Sequence, residues 1–184
     1  TTGYGDPLQS IFKFADGEKI IGVVVNDPVL HPLPQELPPE AGLSIIPLAG
    51  IINDDQDNSA KQNPPPFGVA LTRLGRAHRF PLDSFAEVSQ KGGRRYMTLE
   101  GRDEIVHCFA ARGDESLALA SRFGRGMIFS IYDIPLRQKS SKGCIAIRLI
   151  QGDTVLSFVL TNNPLKGLLV TTTGGREKHI RESH

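Results

Sequence analysis

The chain has 184 residues, 39% of them apolar, with nineteen glycines, thirteen prolines, no tryptophan and a formal net charge of +1 at pH 7. That is enough apolar mass for one sizeable domain or two small ones, and no stretch nears the ~20 apolar residues that a membrane-spanning helix needs. No signal-peptide pattern opens the chain, and the scarcity of helix-period patterning favours an all-β reading.

The chain opens on Thr1, in mid-repeat, and reads as a fragment of a longer polypeptide. Its first stretch, Leu8 to Val24 (LQSIFKFADGEKIIGVV), has two strand-like runs around an Asp16-Gly17-Glu18 turn. It reads as the end of one repeat, closed by the turn Asn26-Asp27-Pro28. From His31 to Pro66 the pattern breaks into a proline-rich and acidic insertion. Within it, Ser44 to Ile52 is expected to be a short strand packed back on the repeat, and the polar part from Asn53 to Gln62 to be dispensable for folding. Asp54, Asp55 and Asp57 fail as a calcium loop of the helix-loop-helix kind. Such a loop needs a central glycine and a glutamate at its twelfth position, where this sequence has proline.

The clearest element follows, Phe67 to Phe85 (FGVALTRLGRAHRFPLDSF). A run of strand formers ends in Thr72-Arg73-Leu74-Gly75, and Gly75 can take the positive φ of a tight hairpin turn. The return run Arg76 to Phe80 carries Arg76 and Arg79, and Pro81 ends it because proline cannot donate to a ladder. Next comes the box Ser89 to Arg95 (SQKGGRR), whose Gly92-Gly93 pair lets a backbone approach a phosphate while Lys91, Arg94 and Arg95 supply charge. A basic turn between strands is the plainer reading of this copy alone. Gly93 to Phe109 then reads as two strands around an acidic turn.

These parts recur. Ser116 to Pro135 is a second hairpin in which Gly124 follows Gly75 by 49 residues and Phe129 follows Phe80 by 49. It carries Arg122 and Arg125 where the first carries Arg73 and Arg76. Lys139-Ser140-Ser141-Lys142-Gly143 is a second, thinner box, and Gly143 to Val159 matches Gly93 to Phe109 at a shift of 50. A frayed third hairpin, GLLVTTTGGREKHI, places Gly174 at the expected tip. A period near 50 residues with about four short strands is the signature of propeller-like repeats, each a small sheet stacked on its neighbours. The expected architecture is therefore an all-β set of four-stranded blades, Phe80 and Phe129 buried in equivalent places, in an incomplete ring of three to four blades.

The net charge hides an asymmetry: Thr1 to Pro66 holds three Lys/Arg against nine Asp/Glu, and Phe67 to His184 holds eighteen against eleven. Arginines at equivalent turns of successive blades would line one rim, and such a track suits a polyanion such as duplex DNA, with a phosphate charge every ~1.7 Å. The candidate contacts are Arg73, Arg76, Arg79, Lys91, Gly92, Gly93, Arg94, Arg95, Arg122, Arg125, Lys139 and Lys142. No aromatic stacking run or major-groove helix accompanies them, so base readout is not expected. Cys108 and Cys144 read as buried reduced thiols, which fits a cytoplasmic protein, with a disulfide between them as the alternative. His107-Cys108 is too little for zinc, and no glycine motif here opens a helix as a dinucleotide site requires.

In this order, ALTRLGRAHRFPLDSF, SQKGGRR and GRDEIV resemble the C-terminal domain of the A subunit of bacterial type IIA topoisomerases, DNA gyrase or its relative topoisomerase IV. The resemblance covers Thr1 to about Ile180 with one insertion. It implies a β-pinwheel, a propeller variant whose blades exchange strands, that binds and bends duplex DNA around its rim. Within that family an intact box goes with gyrase-like wrapping, and a degenerate one with bending short of a full chiral wrap. SQKGGRR lacks one basic residue and has Arg95 where the family has a final glycine, so it resembles the degenerate form. The family's cleavage tyrosine, preceded by an arginine, lies in another domain; Tyr96 follows Arg95 but sits in an expected strand. The fragment is thus expected to be non-catalytic and to hold no cofactor. The resemblance assigns ATP and Mg to the parent's catalytic core and its partner B subunit. It also implies a cytoplasmic, nucleoid-associated location for the whole. Two other classes stay open: a protein-interaction propeller that does not bind DNA, and a small-molecule enzyme on a β barrel.

Overall fold

The computed structural model describes residues 3, 5, 7–10, 13–25, 65–87, 93–164 and 167–180. Nine strands make up its regular structure, with three 3₁₀ turns and no α-helix among the described residues. The insertion from residue 31 to residue 64, with its expected strand and its three aspartates, lies outside the described residues, as do Lys91 and Gly92.

The first sheet has the order β3-β1-β2-β6 and is antiparallel throughout. Its strands are β1 (Phe67–Thr72), β2 (Arg76–Pro81), β3 (Ile105–Ala111) and β6 (Cys144–Ile145). The second sheet is β5-β4-β7, with β4 (Ser116–Ser121), β5 (Gly126–Ser130) and β7 (Val155–Thr161). A third hairpin pairs β8 (Leu168–Thr171) with β9 (Glu177–Ile180). The repeat is reproduced down to its irregularities: the ladder slips between Leu71 and Thr72 in one sheet and between Ala120 and Ser121 in the next. The fourth strand, β6, follows β5 in sequence but pairs with β2 of the preceding sheet through Arg76–Ile145 and Ala77–Cys144. Neighbouring repeats therefore exchange strands.

Among the described residues, only the first sheet has the expected four strands. Glu18 N–H donates to Ala15 carbonyl as Asp103 does to Glu100 and Asp153 to Ile150, so the first stretch holds the expected turn, although it joins no ladder among the described residues.

Stacking follows from which face each strand presents. On β1 the alternation puts Phe67, Val69 and Leu71 on one face, packed with Leu117, Leu119, Val155 and Phe158 of the second sheet. The other face carries Ala70 and the ring of Phe80, with Leu82, Met97 and Val24. Gly68 is required there, because a Cβ would collide with the Phe80 ring that lies across it. Ile21, Gly22 and Val24 line an apolar cavity of about 250 Å³ on this side. Phe80 and Phe129 hold the same register, opposite Gly68 and Leu117, but Phe80 is buried and Phe129 half-buried. Both cysteines are free, and burial pushes the Cys108 thiol up to about 12, well away from reactivity.

Candidate nucleic-acid interface

Each hairpin tip is built the same way. Gly75, Gly124 and Gly175 adopt φ of 84°, 78° and 74°, and their N–H groups donate to the carbonyls of Thr72, Ser121 and Thr172 at 3.0, 3.1 and 2.9 Å. Only glycine adopts this left-handed conformation without strain, and it closes a three-residue hairpin loop. The third tip glycine is thus Gly175 and not Gly174. The hydroxyls of Thr72, Ser121 and Thr172 accept the N–H of Arg76, Arg125 and Arg176 at 3.1, 3.2 and 3.1 Å.

The acidic turns lock the first two tips. Asp103 Oδ1 accepts the N–H groups of Leu74 and Glu104, each at 2.9 Å. Asp153 Oδ1 accepts those of Phe123 at 3.0 Å and Thr154 at 2.8 Å, while its Oδ2 accepts the Ser121 hydroxyl at 2.8 Å. Burial alone would raise the Asp153 carboxyl, but these hydrogen bonds and the charge of Arg125 hold it below the usual carboxylate range. The recurring Ser/Thr-x-x-Gly-Arg pattern, followed about thirty positions on by aspartate, is a signal that sequence reading passed over.

The two tips differ in their acids. Arg73 pairs with Glu104 and Arg76 with Glu100, both at 3.3 Å, and Lys142 also pairs with Glu100. At the equivalent positions the second repeat has Ile150 and Thr154. Arg122 and Arg125 are exposed and make no ion pair within 4 Å among the described residues, although Arg125 helps to hold the Asp153 carboxylate through its charge. The second tip offers the freer cations.

The described part of the box, residues 93–95, lies at the opposite end of β2. Arg94 Nη1 donates to the carbonyl of Ser84, in the 3₁₀ turn that follows β2, and its other terminal nitrogen lies 3.9 Å from Glu87. Arg95 and Gly93 are exposed, and among the described residues no atom lies within 4 Å of where a Cβ would stand on Gly93, whose φ is 87°. Lys139 is exposed, and Ser141 of the second box meets His78 Nδ1 at 3.2 Å. A strand of six residues, about 20 Å long, thus separates the tip arginines from the box arginines.

Arg79 departs from the expectation. It is 2% exposed, with its guanidinium 4.9 Å from the Phe67 ring centre and 4.7 Å from that of Tyr132. Its Nε donates to the Ile134 carbonyl at 2.8 Å. This side chain bolts the first sheet to the turn after β5 and has no surface to offer a phosphate; burial lowers its pKa from the usual arginine value.

The family described as DNA gyrase C-terminal domain, beta-propeller, matches residues 69–112 and 115–162, together half of the chain. The A subunit of DNA gyrase from Dehalogenimonas lykanthroporepellens is 28% identical over 178 residues, covering 94% of this chain and 21% of that protein. Its counterpart from Mycolicibacterium smegmatis is 30% identical over 115 residues, covering 61% and 13%. The chain spans about a fifth or less of the length of these relatives. Among solved structures, the C-terminal domain of DNA topoisomerase IV superposes with a TM-score of 0.57 at 19% identity, over 67% of this chain and 38% of that one. A DNA gyrase A C-terminal domain superposes at 0.53 and 22%, over 64% and 40%. With the strand exchange and the fifty-residue repeat already described, these matches show that the chain belongs to the DNA gyrase C-terminal domain family.

Proposed function

We propose that this domain binds duplex DNA through phosphate contacts and bends it, presenting it to the catalytic core of a type IIA topoisomerase. The observation that carries this reading is the pair of hairpin tips, each latched by a buried aspartate and flanked by two arginines at a 49-residue spacing. Arg73, Arg76, Arg122 and Arg125 at the tips, and Lys91, Arg94, Arg95, Lys139 and Lys142 at the boxes, are the contacts proposed. The degenerate box favours bending over a complete chiral wrap. The domain itself performs no chemistry; the ATP, Mg and B-subunit partnership of the whole enzyme, in the cytoplasm, belong to the same proposal.

The test is duplex binding across a salt series, where the log-log slope is about −0.9 per phosphate neutralised. Arg122→Ala with Arg125→Ala should flatten the slope by about two units, and Lys91→Ala with Arg94→Ala and Arg95→Ala by about two to three. Binding to all duplex sequences should weaken alike, because phosphate contacts carry no base information. A chain that binds no duplex even at low salt would return the domain to the protein-interaction class.

A further inference from the structure

The apex of each of the first two tips carries a side chain that the fold does not use. Leu74 and Phe123 hold the position before the tip glycine in the first two repeats, and they are 55% and 54% exposed. A lone exposed apolar residue needs no explanation, but these two share three features. First, the apex residue is the one whose backbone N–H is pinned by the buried aspartate, Leu74 to Asp103 at 2.9 Å and Phe123 to Asp153 at 3.0 Å. The side chain is therefore presented from a fixed backbone. Second, the exposure persists where the next repeat has already closed over the tip. Gly75 is buried under Ile147, whose carbonyl oxygen and Cγ2 lie 2.7 and 2.9 Å from where a Cβ would be, yet its neighbour Leu74 still points outward. Third, an arginine stands on each side: Arg73 and Arg76 around Leu74, Arg122 and Arg125 around Phe123.

An apolar side chain held between two cations suits duplex DNA, where phosphate rails flank a groove floored by base edges and the apolar base faces are reached by opening a step of the stack. We infer that Phe123 is a wedge that enters the duplex between base pairs from the minor groove while Arg122 and Arg125 hold the flanking phosphates. Side chains inserted in this way unstack a base step and kink the helix, so the wedge sets where the DNA bends. Leu74 is the weaker counterpart, because Glu100 and Glu104 neutralise its flanking arginines and repel phosphate. The third tip has Gly174 at the apex and carries no wedge. This inference rests on the duplex-binding reading above.

The experiment uses the whole chain with short duplexes carrying 2-aminopurine at several steps and a fluorescent donor and acceptor at the ends. Wild type should raise 2-aminopurine emission, which reports unstacking, and shorten the end-to-end distance. Phe123→Ala should keep the salt slope, lose affinity on the order of tenfold, the scale of one base–aromatic contact, and lose both optical signals. Phe123→Leu should retain part of each signal, and matching melting curves would show that both variants fold. Arg122→Ala with Arg125→Ala should instead flatten the salt slope, so the slope reads the phosphate contacts and the emission reads the wedge. Wild-type binding without unstacking, or a Phe123→Ala protein that bends DNA as wild type does, would overturn the wedge and leave duplex binding standing. No binding by wild type at low salt would overturn both.

Discussion

Asp153 accepts the backbone N–H of Phe123 across 30 positions of sequence, in the geometry with which Asp103 holds Leu74 across 29. The carboxylate at the start of one strand thus fixes the tip of the hairpin beside it. Because the folded-state pKa of Asp153 is depressed, its contribution is present above about pH 4, the unfolded-state value, and fades as pH falls through the folded value. Thermal melts should show Asp153→Asn less stable than wild type at pH 7, with the gap closing below about pH 4. A gap that held constant to pH 2 would remove the charge from the latch.

Arg79→Ala should destabilise the fold by about 3 kcal/mol, through the lost hydrogen bond to Ile134 and the two ring contacts. Arg79→Lys should recover little, since an ammonium cannot lie flat between two rings. Denaturant titration measures the loss. The salt slope of any folded Arg79 variant should equal that of wild type, whereas a flattened slope in a stable variant would put Arg79 back on the surface.

Glu100→Gln with Glu104→Gln should strengthen duplex binding and steepen the salt slope by up to about two units, because Arg73 and Arg76 lose their competing carboxylates. The melting temperature should move little, as these are exposed pairs. Fluorescence anisotropy at two salt concentrations decides it; unchanged affinity would mean that the first tip stands away from DNA.

Gly75→Ala should cost more than Gly124→Ala. Both force a side chain into the left-handed region, at about 1–2 kcal/mol. Only at Gly75 would the new Cβ also press on the Ile147 carbonyl, 2.7 Å away, while Gly124 faces open space. Equal losses in paired melts would mean that the segment after β6 does not cover the first tip.

The hairpins, their period and the family were legible in the sequence because a glycine with positive φ and alternating strand formers leave local marks that recur at fixed spacing. Arg79 was misread because nothing local marks it: it sits among other basic residues, and its burial depends on Tyr132, 53 residues on and in another repeat. Gly174 and Gly175 are adjacent, and only the register of β8 with β9 separates them. The acidic turns were visible as repeats, but their role needs the fold that brings Asp103 beside Leu74. β6 has two residues, too few to show as a strand in any pattern.

The exchange of β6 means that the unit of sequence and the unit of structure are out of phase. A cut between Pro135 and Gly143 divides two repeats cleanly on paper, yet it strips β2 of its neighbour and bares an edge with unpaired donors and acceptors. A single excised repeat should therefore be prone to aggregate, while a pair of repeats shields the inner sheet. The same phase shift lets such a domain grow by tandem duplication without a seam, since every added copy finishes the sheet before it and leaves an identical half-finished one for the next.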